Sequence, residues 1–309
     1  LMFICCHPDL PATQQIALAL RIVSGLSVRE IARAFLVGEA AMEQRITRAK
    51  RLVAAGDAAF ETPGPVERGE RVAAVAAMLY LVFNEGYSAA ADPARAELCG
   101  EAIRLTRLLL RLYPTEPEMM GLLALMRLQH ARTQARFDAA GGIVLLDDQD
   151  RSLWDAPAIA EGLALIDKAM RHNRPGPYQV QAAIAALHAR AASPADTDWS
   201  QIDRLYAALE RLAPSPVVTL NRAVAVSKVA GSEAALALVE PLSERLAGYF
   251  HFHGLRGALN LELGRHAAAR EAFDRAIGLA GSAAEAAHIR QHLDRLSRDH
   301  GPDRAPGSG

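Results

Sequence analysis

Aromatic residues are scarce in this chain, at 5% of 309 positions. Alanine, leucine and arginine dominate instead, and such a mixture favours helices over sheets, because these side chains lose little rotamer freedom in a helix. Cysteine is scarcer still. Cys5, Cys6 and Cys99 are an odd set with two adjacent members, which excludes a disulfide framework and points to a reducing cytoplasm. No apolar run approaches the ~18 residues that cross a bilayer. The opening LMFICCHPDLP lacks the basic stretch and cleavage site of a secretory leader. No membrane partner is therefore expected. Excess charge of either sign is missing too. A net charge of −1 excludes the whole molecule as a polyanion binder, so any nucleic-acid surface must be local. What the chain does have is hydrophobic content, 51%, enough for a sizeable core in more than one domain.

Residues 12–23 (ATQQIALALRIV) read as a helix stopped by Gly25, because glycine tolerates the left-handed backbone found there. Ser27-x-x-Glu30 is the spacing of a capping box, in which each side chain satisfies an amide that the helix start leaves free. The helix it opens, SVREIARAF, should bury Val28, Ile31, Ala32 and Phe35. A turn around 36–38 and a third helix over about 39–55 complete a helix-turn-helix. FETPGPVERGE, rich in proline, glycine and charge, reads as a boundary. The expected organisation is all-α. It comprises a helix-turn-helix domain at 1–58, a linker at 59–70, a first helical part at 71–160, helical repeats at 161–298 and a disordered tail at 299–309. GGIVLLDDQD (141–150) stands alone and reads as a buried turn or short extended link.

The third helix divides by helical spacing. Met42, Ile46, Ala49 and Val53 fall on one face and should pack on the preceding helix. Glu43, Gln44, Thr47, Arg48 and Arg51 fall on the other, flanked by Arg45 and Lys50. This set suits DNA. Arginine and glutamine pair with guanine and adenine edges, glutamate accepts from cytosine, and the extra cations reach phosphates. An ordinary solvated helix face is the competing reading. The capped partner helix and the short turn favour the helix-turn-helix, in which the second helix enters the major groove.

GLSVREIARAFLVGEAAMEQRITRAKRLV resembles region 4 of extracytoplasmic-function sigma factors, and LMFICCHPDLPATQQIALALR resembles the first part of that region. LYLVFNEGYSA, EPEMMGLLALMRLQHAR, LLDDQDRSLWD, GPYQVQAAIAALHA and PSPVVTLNRAVAV resemble the subgroup with a long C-terminal extension. The resemblance implies a transcription initiation factor. Its partners would be the promoter −35 element and the β flap of RNA polymerase core. The family's region 2 has no counterpart in these residues. The chain opens at Leu1 in what reads as the middle of a domain, and a fragment is expected.

The extension reads as degenerate tetratricopeptide-like repeats. In HFHGLRGALNLELGRHAAAREAFDRAI, Gly257, Gly264, Ala269, Phe273 and Ala276 stand at the spacing of such repeats. Ile202, Tyr206, Leu209 and Pro214 take matching places in an earlier unit, with room for another at 217–249. Arrays of this kind bind partners, so a regulatory protein on the repeats is one expectation. A protein-binding scaffold without DNA binding is the alternative function. Neither reading needs an enzyme, cofactor or metal. Cys5-Cys6-His7 lacks the spacing of a zinc site. His251 and His253 cannot share a helix face. Asn84-Glu85-Gly86-Tyr87 reads as a helix-capping carboxylate at a tight turn. Asp147, Asp148 and Asp150 read as an acidic turn near Arg151. The apolar run 72–83 should be buried on every side, packing the extension against the helix-turn-helix or the polymerase. Cutting after Gly64 should then alter transcription without unfolding region 4.

Overall fold

In the computed structural model, the residues described are 10–35, 37–55, 65–88, 93–139 and 141–281, with 283, 285–290 and 293. Cys5, Cys6, His7 and the expected tail lie outside them. The fold is all-α. Among the described residues the only extended pairing is an isolated antiparallel bridge between Phe137 and Ile143. No described helix is long and apolar enough to cross a membrane.

Contacts divide the chain into two units, 1–134 with 152–186, and 135–151 with 187–309. The first opens with α1 (Ala12–Ile22), α2 (Val28–Ala34) and α3 (Glu39–Ala55). Gly25 ends the α1 turn at φ +73°, as its position required. The capping box is formed: Ser27 N donates to Glu30 Oε2 at 2.7 Å, and Glu30 N donates to Ser27 Oγ at 3.2 Å. Ile31 and Ala32 are buried, with Val28 and Phe35 half-buried beside them. Met42, Ile46 and Ala49 form the buried stripe of α3, edged by half-buried Val53.

The same unit continues with α4 (Pro65–Ser88), α5 (Pro93–Leu112), α6 (Pro117–His130), α7 (Ala156–Met170) and the start of α8 (Pro177–Arg190). α6 is its centre, with Met119, Met120, Leu122, Leu123, Leu125 and Met126 all buried. α5 and α7 are tied to α6 by Glu161, whose carboxylate receives Arg107 and Arg127 at 2.7 Å each. Glu118 accepts from the backbone N–H groups of Tyr178 and Gln179, satisfying donors that the start of α8 leaves free.

The helix-turn-helix packs directly on this bundle. α1 lies against α4, and α2 lies against α5. One buried apolar cluster runs from Leu10 through Ile31, Met42 and Val75 to Met126. The compact units therefore do not divide at 59–70. Helix α4 already begins at Pro65, since proline at a first helical position gives up only an N–H that has no helical partner. Residues 161–186, expected with the repeats, pack in the first unit.

Two local expectations are corrected. The run 72–83 is not buried all round. Val72, Val75, Val82 and Phe83 are inside, while Ala73, Ala77 and Leu81, spaced one turn apart, face solvent. Gly86 makes no tight turn. It is a buried position within α4.

The second unit contains the 135–151 segment and α9 (Trp199–Leu212), α10 (Pro216–Ala230), α11 (Ser232–Val239), α12 (Phe250–Glu262) and α13 (His266–Leu279). Each of these helices packs on the next. Asp198 and Ser215 cap α9 and α10 through their side chains. α9 stops before Pro214, and the span 217–249 holds α10, α11 and a short 3-10 turn at Glu240–Leu242. In the last pair, a Cβ added at Gly257 would meet the Phe273 ring at 2.5 Å, so glycine is what lets the fully buried ring cross. Ala269 and Ala276 are buried with it.

Candidate nucleic-acid interface

The recognition candidate is α3, and its local sequence explains its placement. The turn before it closes through Val37 N to Ala32 O at 3.0 Å, and α3 starts with Met42 N to Gly38 O at 3.0 Å. Glu39 sits in the first turn, where a negative charge complements the helix dipole. Burial of Met42, Ile46 and Ala49 then fixes the rotation of the helix. Glu43, Gln44, Thr47, Arg48, Lys50 and Arg51 are left exposed, and Arg45 is half-buried. All seven expected residues are thus brought onto one helix, six of them fully at the surface.

Gln44 and Arg51 are two helical turns apart, so the polar face extends over about 10 Å, on the scale of a major groove about 12 Å wide. α3 carries four basic residues against the acidic pair Glu39 and Glu43, while the whole chain is nearly neutral. Arg29 of α2 is exposed in addition. The arrangement presents the hydrogen-bonding side chains of Gln44, Thr47, Arg48 and Arg51 on one exposed face, with the cation of Lys50 beside them.

The other motifs are taken up by packing. Tyr80 hydrogen-bonds Gln129 and Asn84, and burial pushes its hydroxyl above the ordinary tyrosine range. Tyr178 meets the Tyr80 ring edge-on at 5.5 Å, and burial pushes its hydroxyl up to about 12. Arg132 donates to the Tyr87 hydroxyl at 3.1 Å and lies 5.9 Å from the centre of the Trp154 ring. The NEGY stretch thus faces an internal polar and aromatic cluster joining α4 to α6. Arg151 reaches α8: its Nη1 donates to His188 O and Ala191 O, closing carbonyls at that helix end. Asp147 has Lys228 at 4.0 Å. His253 is buried with Nε2 2.9 Å from Ala247 O, and His251, two residues away, is exposed. Among the described residues, no group of three His, Cys, Asp or Glu side chains could hold a metal ion.

Sequence reasoning missed the role of α1. Ile16, Ala17, Leu18, Ala19 and Leu20 are five consecutive residues, none more than 4% exposed. A helix turns once in about 3.6 residues, so this stretch has no solvent side. The signal was present in the unbroken apolar run IALAL, which is the mark of a helix covered all round.

Two family models match parts of the chain. Residues 1–53 match the family model "Sigma-70, region 4". Residues 71–170 match a "Family of unknown function (DUF6596)". The "Uncharacterized protein R00370" of Rhizobium meliloti (strain 1021) is 71% identical over 301 residues, covering 97% of this chain and 71% of that protein. The chain belongs to the same family as that Rhizobium protein, and its helix-turn-helix is similar to sigma-70 region 4.

Proposed function

We propose that the chain is the promoter-reading portion of an extracytoplasmic-function sigma factor. In this reading α3 enters the major groove of the −35 element, with Gln44, Thr47 and Arg48 on base edges, helped by Glu43. Arg51 shares that reading face, and Arg45 and Lys50 hold the phosphates. Region 4 also contacts the β flap of RNA polymerase in the cytoplasm, and the tetratricopeptide-like extension modulates activity, with a regulatory protein as a partner for its repeats. The observation that carries the reading is the open polar face of α3 on a capped helix-turn-helix whose segment matches sigma-70 region 4.

Gel shifts with promoter fragments test it. Arg48→Ala and Gln44→Ala should each weaken a matched −35 element by about 1–3 kcal/mol, as loss of a base contact does. Lys50→Ala should weaken all sequences alike and lower the salt dependence by about one phosphate contact. Negligible effects for all three substitutions would remove the DNA assignment. The second reading, a protein-binding scaffold, would then be the one left.

A further inference from the structure

The helices that follow the linker have a physical relation to the helix-turn-helix that neither family description states. α1 has no free side over Ile16–Leu20. α2 and α3 pack on α1, yet a helix whose middle five residues are enclosed all round needs a second wall. α4 supplies that wall, and α5 supports α2 in the same way.

The turn between α1 and α2 is held at the same place. Arg21 Nη1 donates to Leu26 O at 2.9 Å, bracing the loop across Gly25. The Ser24 hydroxyl is buried there and approaches the Glu101 carboxylate of α5. Glu101 is itself clamped by Arg104, with Nε and Nη2 each at 2.7 Å. Leu98 and Leu105 stand three and four residues from Glu101, on the same side of α5, and are 3% and 1% exposed. All of this contact lies behind α3. Glu43, Gln44, Thr47, Arg48, Lys50 and Arg51 stay exposed while it is made.

We propose that the helices matched by the family of unknown function are a brace built into the DNA-binding unit: they complete the core behind α1 and α2, hold α3 in its reading position and remain docked when DNA binds. This rests on the reading of α3 as the DNA-contacting helix. Glu101 and Leu105 act through α1 and α2 on α3, and are positioning residues. The extension is in this sense a part of region 4 and leaves its reading face open.

The test uses the whole chain, with Leu105→Asp as the strong variant and Glu101→Gln as the mild, fold-preserving one. Two readouts are taken at equal folded concentration: the ratio of affinities for matched and scrambled −35 duplexes, and hydrogen exchange of α1 amides. A positioning role predicts faster exchange in α1 and a ratio reduced roughly 3- to 30-fold, the range over which substitutions between coupled sites act. Faster α1 exchange with an unchanged ratio would show a role in stability alone and overturn the positioning role. Tighter DNA binding by either variant would show a cover and overturn the brace. So would unaltered α1 exchange together with an unaltered ratio. If the wild-type chain binds neither duplex while α1 exchange still responds to both variants, the DNA reading fails and the structural coupling stands.

Discussion

α1 and α3 belong to one motif and meet solvent in opposite ways. Over Ile16–Leu20, α1 is enclosed on all sides. α3 buries a single stripe and keeps a polar, basic face outside. The difference is written in side-chain chemistry. IALAL offers water nothing to bind, so the chain must find cover for it beyond its own motif. MEQRITRAKR separates apolar and polar positions at helical spacing, so it needs cover on one side only. A helix of the first kind carries fold information, and a helix of the second kind reserves a surface for a partner.

The sharpest way to break this comparison is through the cores. In the second unit, Phe273→Ala should cost about 3–5 kcal/mol, because it empties the place the ring fills against Gly257. Thermal melts should also show Ala269→Arg as more damaging than Ala268→Arg, since Ala269 is fully buried and Ala268 only half. The reverse order would mean that the helix pair is phased differently. Leu18→Ala in α1 should cost about 2–5 kcal/mol in urea unfolding, with no polar contact of α3 touched. A cost within about 0.5 kcal/mol would be that of a surface position, and α1 would then have an open side.

Smaller effects separate local from shared stability. Ser27→Ala removes one half of the capping box and should cost about 1 kcal/mol. Arg48→Ala, by contrast, should leave the melting of the first unit unchanged within the experimental spread. An Arg48→Ala variant that melts like Leu18→Ala would mean that α3 carries no reserved face.

Local features were legible because their causes are local. The Ser27–Glu30 box, the stop at Gly25 and the rotation of α3 each depend on residues within a turn or two. The α12–α13 pair was legible for a related reason, since glycine and phenylalanine at repeat spacing fit together at close range. The docking of the helix-turn-helix on α4 and α5 depends on contacts far apart in sequence. No periodicity shows which of several apolar faces will meet. That is also why Ala73, Ala77 and Leu81 came out exposed from a run that is apolar throughout. The tight turn expected at Gly86 fails because a glycine in an apolar segment can also lie inside a helix, and only the fold tells the two apart. The shared core revises one further expectation. Cutting after Gly64 removes the wall behind α1, so the remaining segment should lose exchange protection over Ile16–Leu20 and would not stay folded as region 4.

The most direct measurement of the central claim is side-chain footprinting of the whole chain by hydroxyl radicals, with and without a matched −35 duplex. The account predicts protection on α3 at Gln44, Arg48 and Arg51, no change at the exposed Leu81 of α4 and Leu112 of α5, and continued shielding of Leu18 and Leu20 behind the motif. Protection confined to surfaces other than α3, or exposure of Leu18 and Leu20 when DNA is added, would contradict it.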